Sequence, residues 1–212
     1  MTTRFFFRWR ATKRPSPSLT TAAVRLMALL LLMLATIAVA QQFTFTTNPG
    51  AITITGYTGP GGDVTIPDTI NGLPVTRIGD WAFHTTTGLS NIAILGSVAS
   101  IGEAAFWGCA NLTSVTIGKS VTNIADSVFH RCAKLTGVYF QGNAPAVGAY
   151  VFDEATNATV YFARETTGWG PIFGGRPTDG DPPEGVRDVI VGQSSAGLSS
   201  VDPPLWRRAR RR

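Results

Sequence analysis

The sequence predicts a mainly β solenoid in which parallel strands stack coil upon coil, and three observations carry that prediction. The hexapeptides IGDWAF at Ile78, IGEAAF at Ile101, IADSVF at Ile124 and VGAYVF at Val147 start 23 residues apart. In the unit from Ile101 to Asn123, apolar residues stand at positions 1, 6, 12, 15 and 17 (Ile101, Phe106, Leu112, Val115 and Ile117), and the flanking units keep that register. The triplets Ile92-Ala93-Ile94, Val115-Thr116-Ile117 and Val138-Tyr139-Phe140 occupy one slot of the repeat and alternate as short strands do. A unit this short cannot bury its own apolar face, so each covers its neighbour's. Stacked at about 4.8 Å, the triplets form a parallel ladder.

Residues 1–40 read as a secretory signal. Leu26 to Ala40 is apolar apart from Thr36, follows Arg25, and closes on Ala38-Val39-Ala40, which supplies the positive segment, apolar core and small-x-small cleavage site of an export leader. As a helix it would reach about 22 Å, short of the ~30 Å hydrocarbon core; the second reading is an uncleaved anchor. No later segment is long and apolar enough to span a bilayer, so the mature chain has no span unless the leader is retained.

Residues 41–62 read as a cap and link: FTFTTNPGAITITG holds two alternating runs around Asn48-Pro49-Gly50, a hairpin signal. Residues 63–162 are the solenoid. Its first strand slot, Val64-Thr65-Ile66, precedes Ile92 by 28 residues, so this coil carries five extra, placed in NGLPV at Asn71 to Val75. Each unit has a second extended segment near Val121 to Ile124, then a turn of helix or 3₁₀ around Glu103 to Phe106. Val160-Tyr161-Phe162 is the last strand slot, and residues 163–175, with TTGWGPIFGG, cover the final apolar edge. From Arg176 to Arg212 the text turns acidic, Pro-, Ser- and Gly-rich, then basic, a composition read as disordered.

The phrases VTIP, IGDWAF, IGEAAFWGCANLTSVTIG and LTGVYFQGNAPAVG resemble the bacterial surface leucine-rich repeats of the BspA type, a class with repeats near this length. The resemblance covers about 63–162. It implies inward positions at Ile78, Phe83, Leu89, Ile92 and Ile94, at the five residues of the middle unit, and at Ile124, Phe129, Leu135, Val138 and Phe140. It also implies a curved solenoid for recognition or adhesion, and it transfers no catalytic residue.

The net charge of +5 is a property of the chain ends. Six of the 18 basic residues precede Ala40 and five more cluster from Arg207 to Arg212, so 41–206 holds seven basic against 13 acidic residues. A nucleic-acid surface needs a basic patch on the folded body, and this body is mildly acidic. Cys109 and Cys132 are again 23 residues apart, at a position suited to a small buried filler or to a bridge between adjacent coils.

Asp80, Glu103 and Asp126 share position three. Three roles fit a carboxylate row: holding free N–H groups at the start of a turn, a weak cation site, and glycosidic acid–base work. Position four reads Trp81, Ala104, Ser127 and Tyr150; position seven reads His84, Trp107, His130 and Asp153. Polar-tipped aromatics are enriched at interfaces, so Trp81, Trp107, His130 and Tyr150 are the candidate contacts; the bland role for the tryptophans is filling gaps between units. No nucleophile elbow or phosphate loop occurs, and no cofactor is expected.

The sequence thus points to a noncatalytic recognition or adhesion module, secreted or on a bacterial surface, that binds a protein or surface glycan. A structural envelope protein is the alternative, and a carboxylate-based hydrolase ranks below both. N-terminal sequencing of the exported protein is expected to start at Gln41; recovery of the intact leader in membranes would establish the anchor instead.

Overall fold

The computed structural model describes residues 42–180; the expectations for the leader and for 181–212 lie outside them. The hairpin forms from β1 (Phe43–Asn48) and β2 (Ala51–Tyr57), antiparallel, with Asn48 opposite Ala51. Next come β3 (Gly62–Thr65), β4 (Thr69–Ile70), β5 (Leu73–Ile78), β6 (Leu89–Ile94) and β7 (Ser100–Ile101). The chain continues through β8 (Ser114–Ile117), β9 (Asn123–Ile124), β10 (Gly137–Phe140), β11 (Ala146–Val147), β12 (Thr159–Phe162), β13 (Ile172–Phe173) and β14 (Arg176–Asp179). No helix is formed among the described residues.

Two ladders run the length of the stack. The first pairs β3, β6, β8, β10, β12 and β14 in parallel, and Val64, Ile92, Val115, Val138 and Val160 stand in one row across it. The second pairs β2, β5, β7, β9 and β11 in parallel. Through β2 the hairpin is therefore the first rung of the second ladder as well as a cover. The five extra residues appear as a small antiparallel hairpin of β4 on β5. Asn71 and Gly72 form its tip with φ of 53° and 77°, the left-handed pair a two-residue hairpin requires.

All the inward positions named above are buried, and Phe83, Phe106, Phe129 and Phe152 are among the largest fully enclosed side chains. These four rings stack in sequence at 4.9, 5.5 and 5.4 Å between centroids. Tyr57 stacks on Phe83 at 5.3 Å and Phe43 meets both, which seals the first end with aromatic carbon. At the other end Trp169 lies flat on Phe162, with centroids 5.0 Å apart, and also packs against Phe140 and Phe173.

Two expectations change. The turn after each second-ladder strand is not helical or 3₁₀: its fourth residue is left-handed in every coil, with φ of 60° at Trp81, 51° at Ala104, 58° at Ser127 and 56° at Tyr150. An L-residue in that region breaks a right-handed helix. The reward is an added hydrogen-bonded row between coils: Ala104, Phe106 and Gly108 donate their N–H groups to Asp126, Val128 and His130 carbonyls at 3.0, 3.0 and 2.9 Å. The preceding and following coils repeat this pattern, from Trp81, Phe83 and Thr85 and from Ser127, Phe129 and Arg131. The second change lies at Arg176, read above as the start of the tail. Residues Arg176–Asp179 instead form a further rung, Val160 pairing with Thr178 and Tyr161 with Asp179, because the open edge of β12 offers unpaired backbone groups.

Phe106→Ala is expected to lower the unfolding free energy by ~3–5 kcal/mol through lost burial and a cavity within the ring stack. Urea denaturation measures it, and a loss under ~1 kcal/mol would place the ring outside the core.

Candidate functional site

Position four projects outward wherever its side chain is large. Trp81 is 50% exposed and Tyr150 72%, while Ala104 between them is buried and Ser127 half-buried. The left-handed backbone recurs in all four coils, so it belongs to the fold and not to any one residue's function. Three coil steps of about 4.8 Å separate the two aromatics, with the buried Ala104 and the half-buried Ser127 between them.

Position seven runs beside this row as a stack of flat rings. His84 and Trp107 lie 5.0 Å apart, and Trp107 and His130 5.9 Å apart with only 4° between their planes. Trp81 meets His84 edge-on at 5.1 Å, so it closes one end of the stack. The Arg131 guanidinium sits 5.2 Å from the Trp107 ring centre, within cation–π range. Trp107 is half-buried, packed between His84 and His130 of the neighbouring coils with part of its surface open.

The acid row holds backbone rather than forming a common site. Asp80 Oδ1 accepts the Glu103 N–H at 3.0 Å and an Arg77 N–H at 2.9 Å, and Asp126 Oδ1 accepts the Ala149 N–H at 2.8 Å. In each case the following coil has glycine at position two, and a Cβ at Gly102 or Gly148 would overlap the carboxylate oxygen. After Glu103 that place is taken by Ala125. The pairing of Asp with a glycine 22 residues later is therefore a clasp between coils. It resembles the turn-stabilising role expected for these acids, with the bonded N–H on the next coil instead of the acid's own turn.

The potential metal ligands that the fold gathers are not Asp80, Glu103 and Asp126 but His130, Asp153 and Glu154, with one donor atom of each within 4.8 Å of the others. His130 Nδ1 faces Asp153 at 3.6 Å and Nε2 faces Glu154 at 3.5 Å; Arg131 Nε reaches both Glu154 oxygens at 3.2 Å. Sequence reasoning also passed over the outer face of the first ladder. There Tyr139 and Tyr161 stack at 5.1 Å, in a row continued by Thr65, Ala93 and Thr116. Strand alternation at Val138-Tyr139-Phe140 already pointed Tyr139 outward and was the available signal. Burial, and then the neighbouring Tyr161, push the Tyr139 phenol up from its ordinary value.

A family model described as BspA type leucine rich repeat region matches residues 62–170 in six copies. Among solved structures, a leucine-rich repeat protein of T. pallidum is 26% identical, with a TM-score of 0.50, over 57% of this chain and 69% of its own. A leucine-rich repeat protein of Bacteroides capillosus is likewise 26% identical, with a TM-score of 0.52, over 57% of this chain and 94% of its own. No curated protein matches.

Cys109 and Cys132 are unbridged and fully buried. Their thiols point to the carbonyls of Phe83 and Phe106 in the preceding coils, at 3.1 and 3.2 Å. The filler reading describes them and the bridge does not. Burial pushes the Cys109 thiol up to about 12 and Cys132 higher still, and the thiolate is the reactive form. Iodoacetamide at pH 8 is therefore expected to leave both unmodified in the folded protein and to alkylate both in denaturant; mass spectrometry reads the count.

Proposed function

This chain belongs to the BspA-type leucine-rich repeat family, and from that premise we propose that it is a noncatalytic recognition module. Its partner is a protein or surface glycan outside the cytoplasm. The observation that carries the proposal is the position-four row, where Trp81 and Tyr150 stand exposed at the two ends of a run whose middle residues are small. Two large aromatics on a rigid ladder supply contact area at little cost in side-chain entropy. Trp107 and His130 stand in the neighbouring column, both half-buried, and add an N–H donor and an imidazole. The backbone beneath is hydrogen-bonded coil to coil, so the spacing between contacts is preset before any partner arrives.

A hydrolase built on Asp80, Glu103 and Asp126 has less support, because Asp80 and Asp126 each hold a backbone N–H of the next coil. The export leader read from the sequence supports a secreted or surface location. Among the described residues no helix is long and apolar enough to cross a membrane.

Immobilised full-length protein and a Trp81→Ser/Tyr150→Ser variant, both with matched unfolding curves, are to be compared for capture from surface-protein extracts and on a glycan array. Specific capture by the parent that drops roughly tenfold or more in the variant is the expected result. Equal capture by both would move recognition off this row, and capture by neither would favour the structural envelope role.

A further inference from the structure

We infer that His130, Asp153 and Glu154 form a binding site for one divalent transition-metal ion of zinc-like donor preference. The inference is independent of the recognition reading. It rests on how the third and fourth coils are locked together. Phe129 and Arg131 donate their N–H groups to the Val151 and Asp153 carbonyls at 2.8 and 2.9 Å, so the backbone on both sides of His130 is tied to the strip carrying the two acids. The imidazole plane is held as well, lying 4° from that of Trp107. One aromatic nitrogen ligand and two carboxylates are therefore presented from a fixed frame.

Each ring nitrogen of His130 faces a carboxylate across a gap longer than a hydrogen bond: Nδ1 faces Asp153 and Nε2 faces Glu154. Separations of 3.5 and 3.6 Å are too long for the nitrogen to donate effectively. One ion takes one ring nitrogen, and one donor atom of each of the three residues lies within 4.8 Å of the others, so rotation of the two exposed carboxylates would close the set onto metal bonds of about 2.1 Å. His130 Nδ1 has almost no surface open to solvent and no hydrogen-bond partner, an arrangement that costs stability unless something fills the lone pair or takes the proton. The imidazole is mostly covered while the two carboxylates are about half exposed. An ion would thus rest on a protein floor, with its remaining positions open to water or to a partner's side chain.

Donor chemistry sets the class of ion. One imidazole with two carboxylates suits zinc and its neighbours in the first transition row, whereas calcium seeks six to eight oxygens. Arg131 opposes binding, since its guanidinium holds both Glu154 oxygens and must give up at least one of them. Removing that competitor is therefore a test with the opposite sign from removing a ligand.

The experiment is a titration of the untagged full chain with zinc against a chromophoric chelator, repeated with calcium, with cobalt absorption reporting nitrogen ligation. Expected are one saturable zinc site, weakening of roughly tenfold or more in His130→Phe, which keeps a ring on Trp107, and tighter binding in Arg131→Gln. Asp153→Asn/Glu154→Gln, both at exposed positions, is expected to weaken binding likewise and serves if His130→Phe does not fold. Absence of a saturable site overturns the inference. So does zinc affinity unchanged in either ligand variant, or calcium bound as tightly as zinc.

Discussion

The backbone row between coils is the constraint on which the rest of this structure depends. Each unit must meet the next at one height in three places: the long strand, the short strand and the turn between them. A residue gained or lost inside any of these segments would carry the side chains that follow to the wrong face. The 23-residue interval that recurs from Ile78 to Val147 is the trace of that requirement. Where the interval changes, the ladders keep their register: the Asn71-Gly72 hairpin takes up the five extra residues between rungs, and Val160 still pairs with Val138 although 22 residues separate them.

The turn shows how strongly the ladder dominates local preference. Tryptophan, alanine, serine and tyrosine all adopt the left-handed region at position four, though none of them favours it. An isolated turn of this sequence would relax toward a helix. In the stack, left-handed φ lets alternate N–H groups face the next coil, and the hydrogen bonds gained there offset roughly 1–2 kcal/mol of backbone strain per residue. The same close approach excludes a Cβ at Gly102 and Gly148 and brings each preceding Asp carboxylate onto an N–H of the next coil.

Both ends of such a stack expose apolar side chains and unpaired strand edges, and the chain treats them differently. The first end is sealed by Phe43 and Tyr57 on Phe83, carried by a hairpin that is itself a rung. The last is sealed by Trp169 and Phe173, after which Arg176–Asp179 pairs with the free edge of β12. Composition marked Arg176 as tail because proline and charge are rare in strands. The strand accommodates them because its two pairings are staggered: Arg176 and Pro177 lie opposite β13, and only Thr178 and Asp179 pair with β12.

By itself the sequence determined the family, the 23-residue register, the inward set from Ile78 to Phe140, the opening hairpin and the place of the inserted residues. The register follows from apolar periodicity, the hairpin from Asn48-Pro49-Gly50 between alternating runs, and the family with its inward set from the resemblance of the repeat phrases, all of them written along the chain. Tertiary structure alone decided the left-handed turn, the Asp-to-glycine clasps, the Tyr139–Tyr161 pair and the meeting of His130 with Asp153 and Glu154. Each depends on contacts between residues about 23 apart, and the side chains' reach and rotation across that gap are set by packing. Position seven illustrates the division: the repeat put His130 and Asp153 in one column, but only the folded coils brought their polar atoms to 3.6 Å.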